Sequence, residues 1–423
     1  MTQTPEPQVI TFGCRLNVYE SEVMRQHAKA QGLENAIIIN TCAVTNEAER
    51  QARQAVRRAR RDHPEATIIV AGCSAQQNPD LYAAMPEVNY IMGNENKLQR
   101  ASYDLATAPR INVSDIMAVQ EIAPHMVTSF DGHVRAFIEI QNGCDHRCTF
   151  CSIPLGRGNN RSVPMGEIVQ QVRHLVAQGC REVVLTGVDI TGYGTDLPGT
   201  PTLGSMMRRL LQAVPELPRL RLSSIDPKEI DDQAIALILH EPRLMPHIHL
   251  SIQAGDDMIL KRMKRRHLRQ DVLDLVTRLR EARPEIAFGA DLIAGFPTED
   301  EAMFNNTLTL VADANITFVH AFPYSPRAGT PAARMPQVAR AIIKERAARL
   351  RQVAAAQLSH YLASRIGQTE SVLIESNLKG HTASFAEVDI VGEATEHAPA
   401  LRGQIRQAMV EGVHNNRLQV RLI

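Results

Sequence analysis

Three cysteines lie within the run Cys144-Asp145-His146-Arg147-Cys148-Thr149-Phe150-Cys151, close enough to turn inward from one loop. The C-x₃-C-x₂-C spacing can hold three irons of a [4Fe-4S] cube, whereas a complete structural cluster takes four cysteines. The fourth iron would stay open to bind and reduce a small molecule, as the fourth position stays open in a catalytic zinc site. A zinc site with His146 as fourth ligand is the alternative. Zinc motifs usually pair two separated knuckles, and the chain has no second C-x₂-C. Three further cysteines, Cys14, Cys42 and Cys73, each follow a short apolar run: Val9–Phe12, Ala36–Asn40 and Thr67–Ala71. Gly13 and Gly72 precede two of them and allow close backbone approach. Three thiols so placed can converge on one point and describe a second three-thiolate site, with three buried structural cysteines as the bland alternative. Cys180, after Gly179 at a helix end, belongs to neither set and reads as structural.

These thiols need scaffolds to hold them. The three apolar runs have strand length and β-branched content, and helical stretches follow at about Val18–Gln31, Asn46–Asp62 and Asp80–Ala84. Alternating strands and helices predict a Rossmann-like parallel-sheet domain over residues 1–123, with ligands gathering at the carboxyl ends of its strands. Six further strand–helix units follow, with strands at Ala136–Gln141, Glu182–Thr186, Arg219–Ser224, His247–Ile252, Ala287–Ile293 and Thr317–Phe322. Helices at Gly166–Gln178, Asp232–His240, Gln270–Ala282 and Glu301–Ala314 fall between them. The pattern predicts a partial (β/α)₆ barrel over residues 130–366. Function in such barrels sits in the loops after the strands, where Cys144 falls. After a long helical run at Arg340–Ser364, residues 367–423 change to short β runs at Ser371–Ile374, Ala386–Ile390 and Leu418–Leu422, which suggests a small all-β barrel.

A net charge of zero gives no global argument for nucleic acid, and 44% hydrophobic and 22% charged residues are those of an ordinary soluble protein. No run is long enough to span a bilayer, and the polar start Met1–Gln8 is not a signal peptide. Seven cysteines without a small secreted framework indicate a reducing compartment, so the expected location is cytoplasmic, with no membrane partner. Two basic stretches have two readings each. Arg50 to Arg61 holds six arginines, and Lys261, Arg262, Lys264, Arg265, Arg266 and Arg269 form the densest run. Either can be a solvated helix face or a contact for a polyanion. Arg157 and Arg161 can likewise meet substrate phosphate or fold the cysteine loop.

The spacing at Cys144, Cys148 and Cys151 resembles that of the radical S-adenosylmethionine (SAM) enzymes. Phe12-Gly13-Cys14-Arg15-Leu16-Asn17-Val18-Tyr19-Glu20-Ser21-Glu22, Asn40-Thr41-Cys42-Ala43-Val44 and Ala71-Gly72-Cys73-Ser74-Ala75-Gln76 resemble the three opening motifs of the methylthiotransferases within that superfamily. The resemblance covers essentially the whole chain. It implies two [4Fe-4S] clusters: one on Cys144, Cys148 and Cys151 that cleaves SAM reductively to a deoxyadenosyl radical, and an auxiliary one on Cys14, Cys42 and Cys73 that carries sulfur. SAM would serve both as methyl donor and as radical source. The resemblance also implies SAM contacts at strand ends: Thr186, Gly187 and Asp189, then Ser223, Gln253 and Gly295. Ordinary turn chemistry is the other reading of those residues. One departure is Ser251-Ile252-Gln253-Ala254-Gly255, where the family pattern is Pro-Leu-Gln-Ser-Gly.

Three targets occur in the family: adenosine 37 of tRNA bearing an isopentenyl or a threonylcarbamoyl group, and an aspartate of a small-subunit ribosomal protein. Gly13-Cys14-Arg15-Leu16-Asn17, Leu220-Arg221-Leu222-Ser223-Ser224-Ile225-Asp226-Pro227 and Phe322-Pro323-Tyr324-Ser325-Pro326-Arg327-Ala328-Gly329-Thr330-Pro331 look most like the threonylcarbamoyladenosine branch. The implied partners are the anticodon loop of tRNA and a reduced flavodoxin- or ferredoxin-type electron donor. The family appends a TRAM-like RNA-binding barrel where residues 367–423 lie. That tail is not a basic patch, and Phe385 is its only aromatic for stacking a base.

Overall fold

The computed structural model describes residues 6–122, 134–376, 378–392 and 398–423. The expected boundary at 123–130 and the first five residues of the polar start lie outside the described residues. The amino-terminal region runs β1 (Gln8–Thr11), α1 (Arg15–Ala30), β2 (Ala36–Thr41), α2 (Asn46–Asp62), β3 (Thr67–Gly72), α3 (Cys73–Gln77), α4 (Pro79–Ala83), β4 (Tyr90–Met92) and β5 (Ile111–Asn112). Its five strands form one parallel sheet in chain order, with Ile38 of β2 opposite Val9 and Ile69. Every residue of β2 is buried because helices cover both faces. Met24 and Ala28 of α1 pack on Ile38 and Ile69, and Val56 and Ala59 of α2 pack on Ile37, Ile39 and Ile68. The apolar runs predict three of these strands; β4 and β5, three and two residues long, are too short to leave a periodic pattern.

The central region contains β6 (Arg135–Glu139), β7 (Gln141–Asn142), α5 (Ile153–Arg157), β8 (Arg161–Ser162), α6 (Met165–Ala177), β9 (Glu182–Thr186), α7 (Leu203–Ala213), β10 (Arg219–Leu222), β11 (Ser224–Ile225), α8 (Asp232–His240) and β12 (His247–Gln253). It continues with α9 (Asp257–Arg262), α10 (Arg269–Ala282), β13 (Ala287–Ala294), α11 (Glu301–Asp313), β14 (Phe318–Pro323) and α12 (Arg340–Ser364). Parallel strands run β6-β9-β10 and β11-β12-β13-β14. The third predicted strand breaks at Ser223 into β10 and β11, and a pairing of Leu220 with Leu244 joins the two halves. The result is six strand positions of an open barrel with β6 and β14 at its edges.

The apolar residues of the alternating strands face outward. Ile248, Leu250 and Ile252 of β12 and Phe288, Ala290 and Leu292 of β13 join helix residues such as Val272 and Leu310 in one core. The inner face carries mostly polar residues, with Phe318 packed on His247 among them.

The carboxyl-terminal strands β15 (Thr369–Ser376), β16 (Lys379–Thr382), β17 (Glu387–Ile390), β18 (Ile405–His414) and β19 (Arg417–Leu422) close into a barrel in the order β15-β16-β17-β19-β18. Closure removes the exposed edges that an open sheet of this size would present. Its core, including Val372, Ile374, Val388 and Val420, packs on Leu362 of α12, so the long helix tethers it to the central barrel. Among the described residues no helix is long and apolar enough to cross a membrane.

Candidate active site between two cysteine triads

β7 and β8 pair antiparallel, Gln141 with Ser162 and Asn142 with Arg161, and close the base of the loop carrying Cys144, Cys148 and Cys151. Gly143 has φ +69°, and a Cβ there would sit 1.8 Å from the Asn159 carbonyl, so the loop closes only on glycine. The loop is pinned from beneath. Thr149 donates through its backbone N to Met263 O at 3.0 Å and through Oγ1 to Arg262 O at 2.8 Å. Burial pushes the Cys151 thiol up to about 12. Burial, then the Asp189 charge, push Cys144 up further.

Cys14 caps the start of α1, Cys42 follows β2, and Cys73 opens α3, all at the carboxyl edge of the sheet. Asn17 ties two of these turns together, donating through Nδ2 to Phe12 O at 2.6 Å and Thr41 O at 3.1 Å. Gly13 and Gly72 both have φ +100°, and a Cβ on Gly13 would lie 2.8 Å from Cys42 Cβ. Burial pushes Cys42 up to about 12, with the charges of Cys73 and Cys14 acting in the same direction. The Cys73 and Cys14 sulfurs are thus near enough to Cys42 to act on it. Asn94 donates to Cys73 Sγ at 3.4 Å, while its buried Oδ1 has no protein partner. Soft sulfur donors gathered at one point, with glycine clearance beside them, fit an iron–sulfur cluster at each triad.

The two triads share one junction. Gln77 Nε2 donates to Ser152 O at 2.9 Å, Ser152 Oγ to Ala43 O at 3.3 Å, and Asn94 Nδ2 to Gly156 O at 2.5 Å. A Cβ on Gly156 would stand 3.4 Å from Cys73 Cβ. Beneath lies a buried charge network: Arg157 bonds both oxygens of Glu20 at 2.9 and 3.0 Å and Asn17 Oδ1 at 2.7 Å, and Lys97 Nζ reaches Glu20 at 2.7 Å. Glu20 is depressed below the usual carboxylate range because Arg157 and Lys97 outweigh its burial. Arg157 and Arg161, 3% exposed each, therefore fold the loop and do not offer their charge to a phosphate. Sequence reasoning missed Glu20, Lys97, Asn17 and Asn94. The one signal was the polar run Tyr19-Glu20-Ser21-Glu22 inside an otherwise amphipathic helix.

Thr186, Gly187 and Asp189 end β9 and its turn, Ser223 interrupts the third strand, Gln253 ends β12, and Gly295 follows β13. Gln141 Oε1 accepts from the backbone N of Val188 at 2.9 Å and of Asp189 at 2.8 Å and so fixes the first turn. Asp189 Oδ2 accepts from Cys144 Sγ at 3.7 Å and pairs with His146 Nε2 at 3.0 Å, and His146 also reaches Glu229 at 3.0 Å. Those two carboxylates raise the pKa of His146 to about 10 and engage its Nε2, and the three side chains lie close enough together to hold a metal ion. Ser223 Oγ is buried with no protein partner, and Gln253 adopts φ +74°. Gly295 donates its backbone N to Glu299 and lies against Ile343.

The basic runs find internal partners. Arg265 donates to Asp226 at 2.7 Å, Ser251 O at 2.6 Å and Cys148 Sγ at 3.6 Å, Arg266 pairs with Glu229, and Arg269 reaches Asn306 O at 2.5 Å. On α2, Arg60 bonds Ala66 O at 2.9 Å and Asn89 Oδ1 at 2.7 Å, while Arg50 pairs with Glu47 on a solvated face. Cys180 is buried and donates to Glu182 O at 3.3 Å. Phe385 does not wait for a base. It stacks on His247 at 4.7 Å, inside the central barrel.

Comparison with known proteins agrees with this geometry. The pattern of the Radical SAM superfamily matches residues 138–311, and one described as uncharacterized protein family UPF0004 matches residues 7–93. The chain is 56% identical over 383 residues, 90% of its length and 91% of the relative's, to the threonylcarbamoyladenosine tRNA methylthiotransferase of Rickettsia prowazekii (strain Madrid E). It is 35% identical over 92% of each chain to the tRNA-2-methylthio-N(6)-dimethylallyladenosine synthase of Novosphingobium aromaticivorans. In fold, it resembles the radical SAM methyltransferase TsrM of Kitasatospora setae, solved with cobalamin and a [4Fe-4S] cluster, with a TM-score of 0.55 over 78% of this chain and 77% of that one at 14% identity. A barrel with its cysteine loop, a thiol-bearing sheet in front of it and identity sustained across both lead to one assignment: the chain belongs to the radical-SAM tRNA methylthiotransferases, enzymes that use SAM and [4Fe-4S] clusters.

Proposed function

We propose that the protein transfers a methylthio group to C2 of N6-threonylcarbamoyladenosine at position 37 of tRNA. The observation that carries this reading is the shared junction of the two triads, where Ser152 bonds the Cys42 turn and Gly156 packs on Cys73. A substrate held there would meet both. Cys144, Cys148 and Cys151 would hold the cluster that cleaves SAM, and Cys14, Cys42 and Cys73 the one that carries sulfur. When bound, these groups supply the radical and the methylthio donor that an unactivated C–H bond requires.

The chain's own residues bind and orient. Asp189, braced by His146 and Thr191, presents a carboxylate beside Cys144 for the ammonium of SAM. Thr186, Gly187, Ser223, Gln253 and Gly295 line the same strand ends, and the unpaired Ser223 hydroxyl has a donor to give. Greater identity to the threonylcarbamoyl relative than to the dimethylallyl one, 56% against 35%, supports the choice of adenosine. The division into 1–123, 130–366 and 367–423, a reduced flavodoxin- or ferredoxin-type electron donor and a cytoplasmic location complete the proposal. Reconstituted enzyme supplied with SAM, sulfide, a reductant and tRNA tests it. Formation of 2-methylthio-N6-threonylcarbamoyladenosine is expected, and modification of dimethylallyladenosine alone would refute the target.

A further inference from the structure

A closed (β/α) barrel fills its centre with branched apolar side chains. This open one carries charge there. Arg221 and His247 line the base of the lumen, His249, Asp291 and His320 its middle, and Arg15 enters from the start of α1. Phe385 closes the base: its ring lies 4.9 Å from the Arg221 guanidinium and 5.4 Å from that of Arg15. The upper part remains open on the β14 side, where the His320 side chain is 56% exposed and Phe322 38%. This charged layer lies below the strand ends that carry the cysteine loop.

Its charges are not balanced internally. Glu182 is engaged by Arg221 at 2.8 Å, and Asp291 Oδ1 accepts from His249 Nε2 and His320 Nδ1 at 3.1 Å each. Arg15 forms no ion pair among the described residues. Both ring nitrogens of His247 and Nη1 of Arg221 are buried without a hydrogen-bond partner, in residues 1% and 0% exposed. Buried donors in this state await an acceptor. The His-Asp-His triangle has the donor types of a divalent-cation site. The neighbouring guanidiniums oppose a cation and favour an anion.

We infer that this charged layer, entered from the exposed β14 side, reads the N6 substituent of the target adenosine, Arg15 taking a carboxylate and Asp291, held by His249 and His320, accepting from ureido N–H or hydroxyl groups. The inference rests on the substrate proposed above, whose threonylcarbamoyl group carries all of these functions. The spacing suits it. Ser251, which accepts from the Arg265 that touches Cys148, lies two residues above His249 on β12, a rise of about 7 Å. Five bonds separate the adenine ring from the threonyl carboxylate, roughly 6 Å when extended. With C2 near the cysteines, the carboxylate reaches the charged layer. A dimethylallyl group would leave these buried polar groups unpaired, which is the strongest form of rejection a binding site has.

Reconstituted full-length enzyme is assayed with an anticodon stem-loop RNA bearing threonylcarbamoyladenosine and with the same RNA methyl-esterified at the threonine carboxylate. Wild type should prefer the free acid by about 100-fold in kcat/KM, and Arg15→Gln should reduce that preference to about threefold or less. The ratio is taken within one preparation, so cluster loss at the adjacent Cys14 scales both rates alike. His320→Ala, remote from any cysteine in sequence, should narrow the ratio about tenfold, and it decides the matter if Arg15→Gln is inactive. Equal use of acid and ester by the wild type, or a wild-type ratio in the deciding variant, overturns the inference. Wild-type activity on dimethylallyladenosine RNA and none on the threonylcarbamoyl RNA overturns the substrate reading itself, and the inference with it.

Discussion

Replacing Arg157 by methionine tests whether the two triads are held in register by buried charge. Arg157 is 3% exposed and Glu20 0%, and Arg157 donates to both Glu20 oxygens, to Asn17 Oδ1 at 2.7 Å and to Asn142 Oδ1 at 3.1 Å. Arg157→Met keeps an unbranched apolar stem but removes all of these bonds, leaving Glu20 with Lys97 as its one cation among the described residues and taking a donor from the Asn17 and Asn142 amide oxygens. Breaking a buried pair from one side costs about 3–5 kcal/mol. Urea unfolding of the iron-free chain should show a loss of that order. Glu20→Gln alone and combined with Arg157→Met should give a coupling of at least about 1 kcal/mol. The effect has a pH signature. Glu20 titrates below its ordinary value in the folded chain, so the stability it contributes is present above about pH 4.5 and is lost as pH falls through its depressed pKa. The gap between wild type and Arg157→Met should therefore narrow in acid. A variant within about 1 kcal/mol of wild type at neutral pH would refute the reasoning.

Four other outcomes follow from the site. Cys144→Ala should lose about half the iron and all SAM cleavage, whereas Cys42→Ala should lose a similar amount yet keep some cleavage without methylthiolation, as read by iron analysis and 5′-deoxyadenosine release. Gly13→Ala forces a side chain at φ +100° and 2.8 Å from Cys42 Cβ; it should cost about 1–3 kcal/mol and deplete iron at that triad alone. Burial opposes the charge of Glu182, but Arg221, Arg135 and Arg219 hold it down to about 2. About 3 kcal/mol of stability is thus present above pH 4.5 and lost toward pH 2, a dependence that Glu182→Gln should flatten in acid melts. Asp189→Asn should raise the KM for SAM at least tenfold in cleavage assays if its carboxylate takes the ammonium as proposed.

The site was legible where chemistry depends on sequence spacing. Cys144, Cys148 and Cys151 lie within eight residues, and Cys14, Cys42 and Cys73 follow apolar runs whose strand character is local. The parallel sheet and the six barrel strands followed from the same periodicity. Contacts between distant residues were not legible. Arg157 meets Glu20 across 137 positions and Lys97 meets Glu20 across 77, so nothing near either residue announces its partner. The run from Lys261 to Arg269 read equally as a polyanion surface, because a charge pattern does not say whether Asp226 and Glu229 will come to meet it. Phe385 read as a lone tail aromatic, and its place under Arg221 depends on how α12 carries the small barrel back against the large one. The break at Ser223 shifts the alternation by one residue, with Leu220 and Leu222 in the core before it and Ile225 after it, and the short run after the break is too brief to show that shift.

Nucleoside mass spectrometry of tRNA from cells with and without the gene tests the central claim most directly. Loss of 2-methylthio-N6-threonylcarbamoyladenosine with accumulation of its unthiolated precursor is the predicted result. An unchanged level of that nucleoside, or loss of the dimethylallyl form in its place, would contradict it.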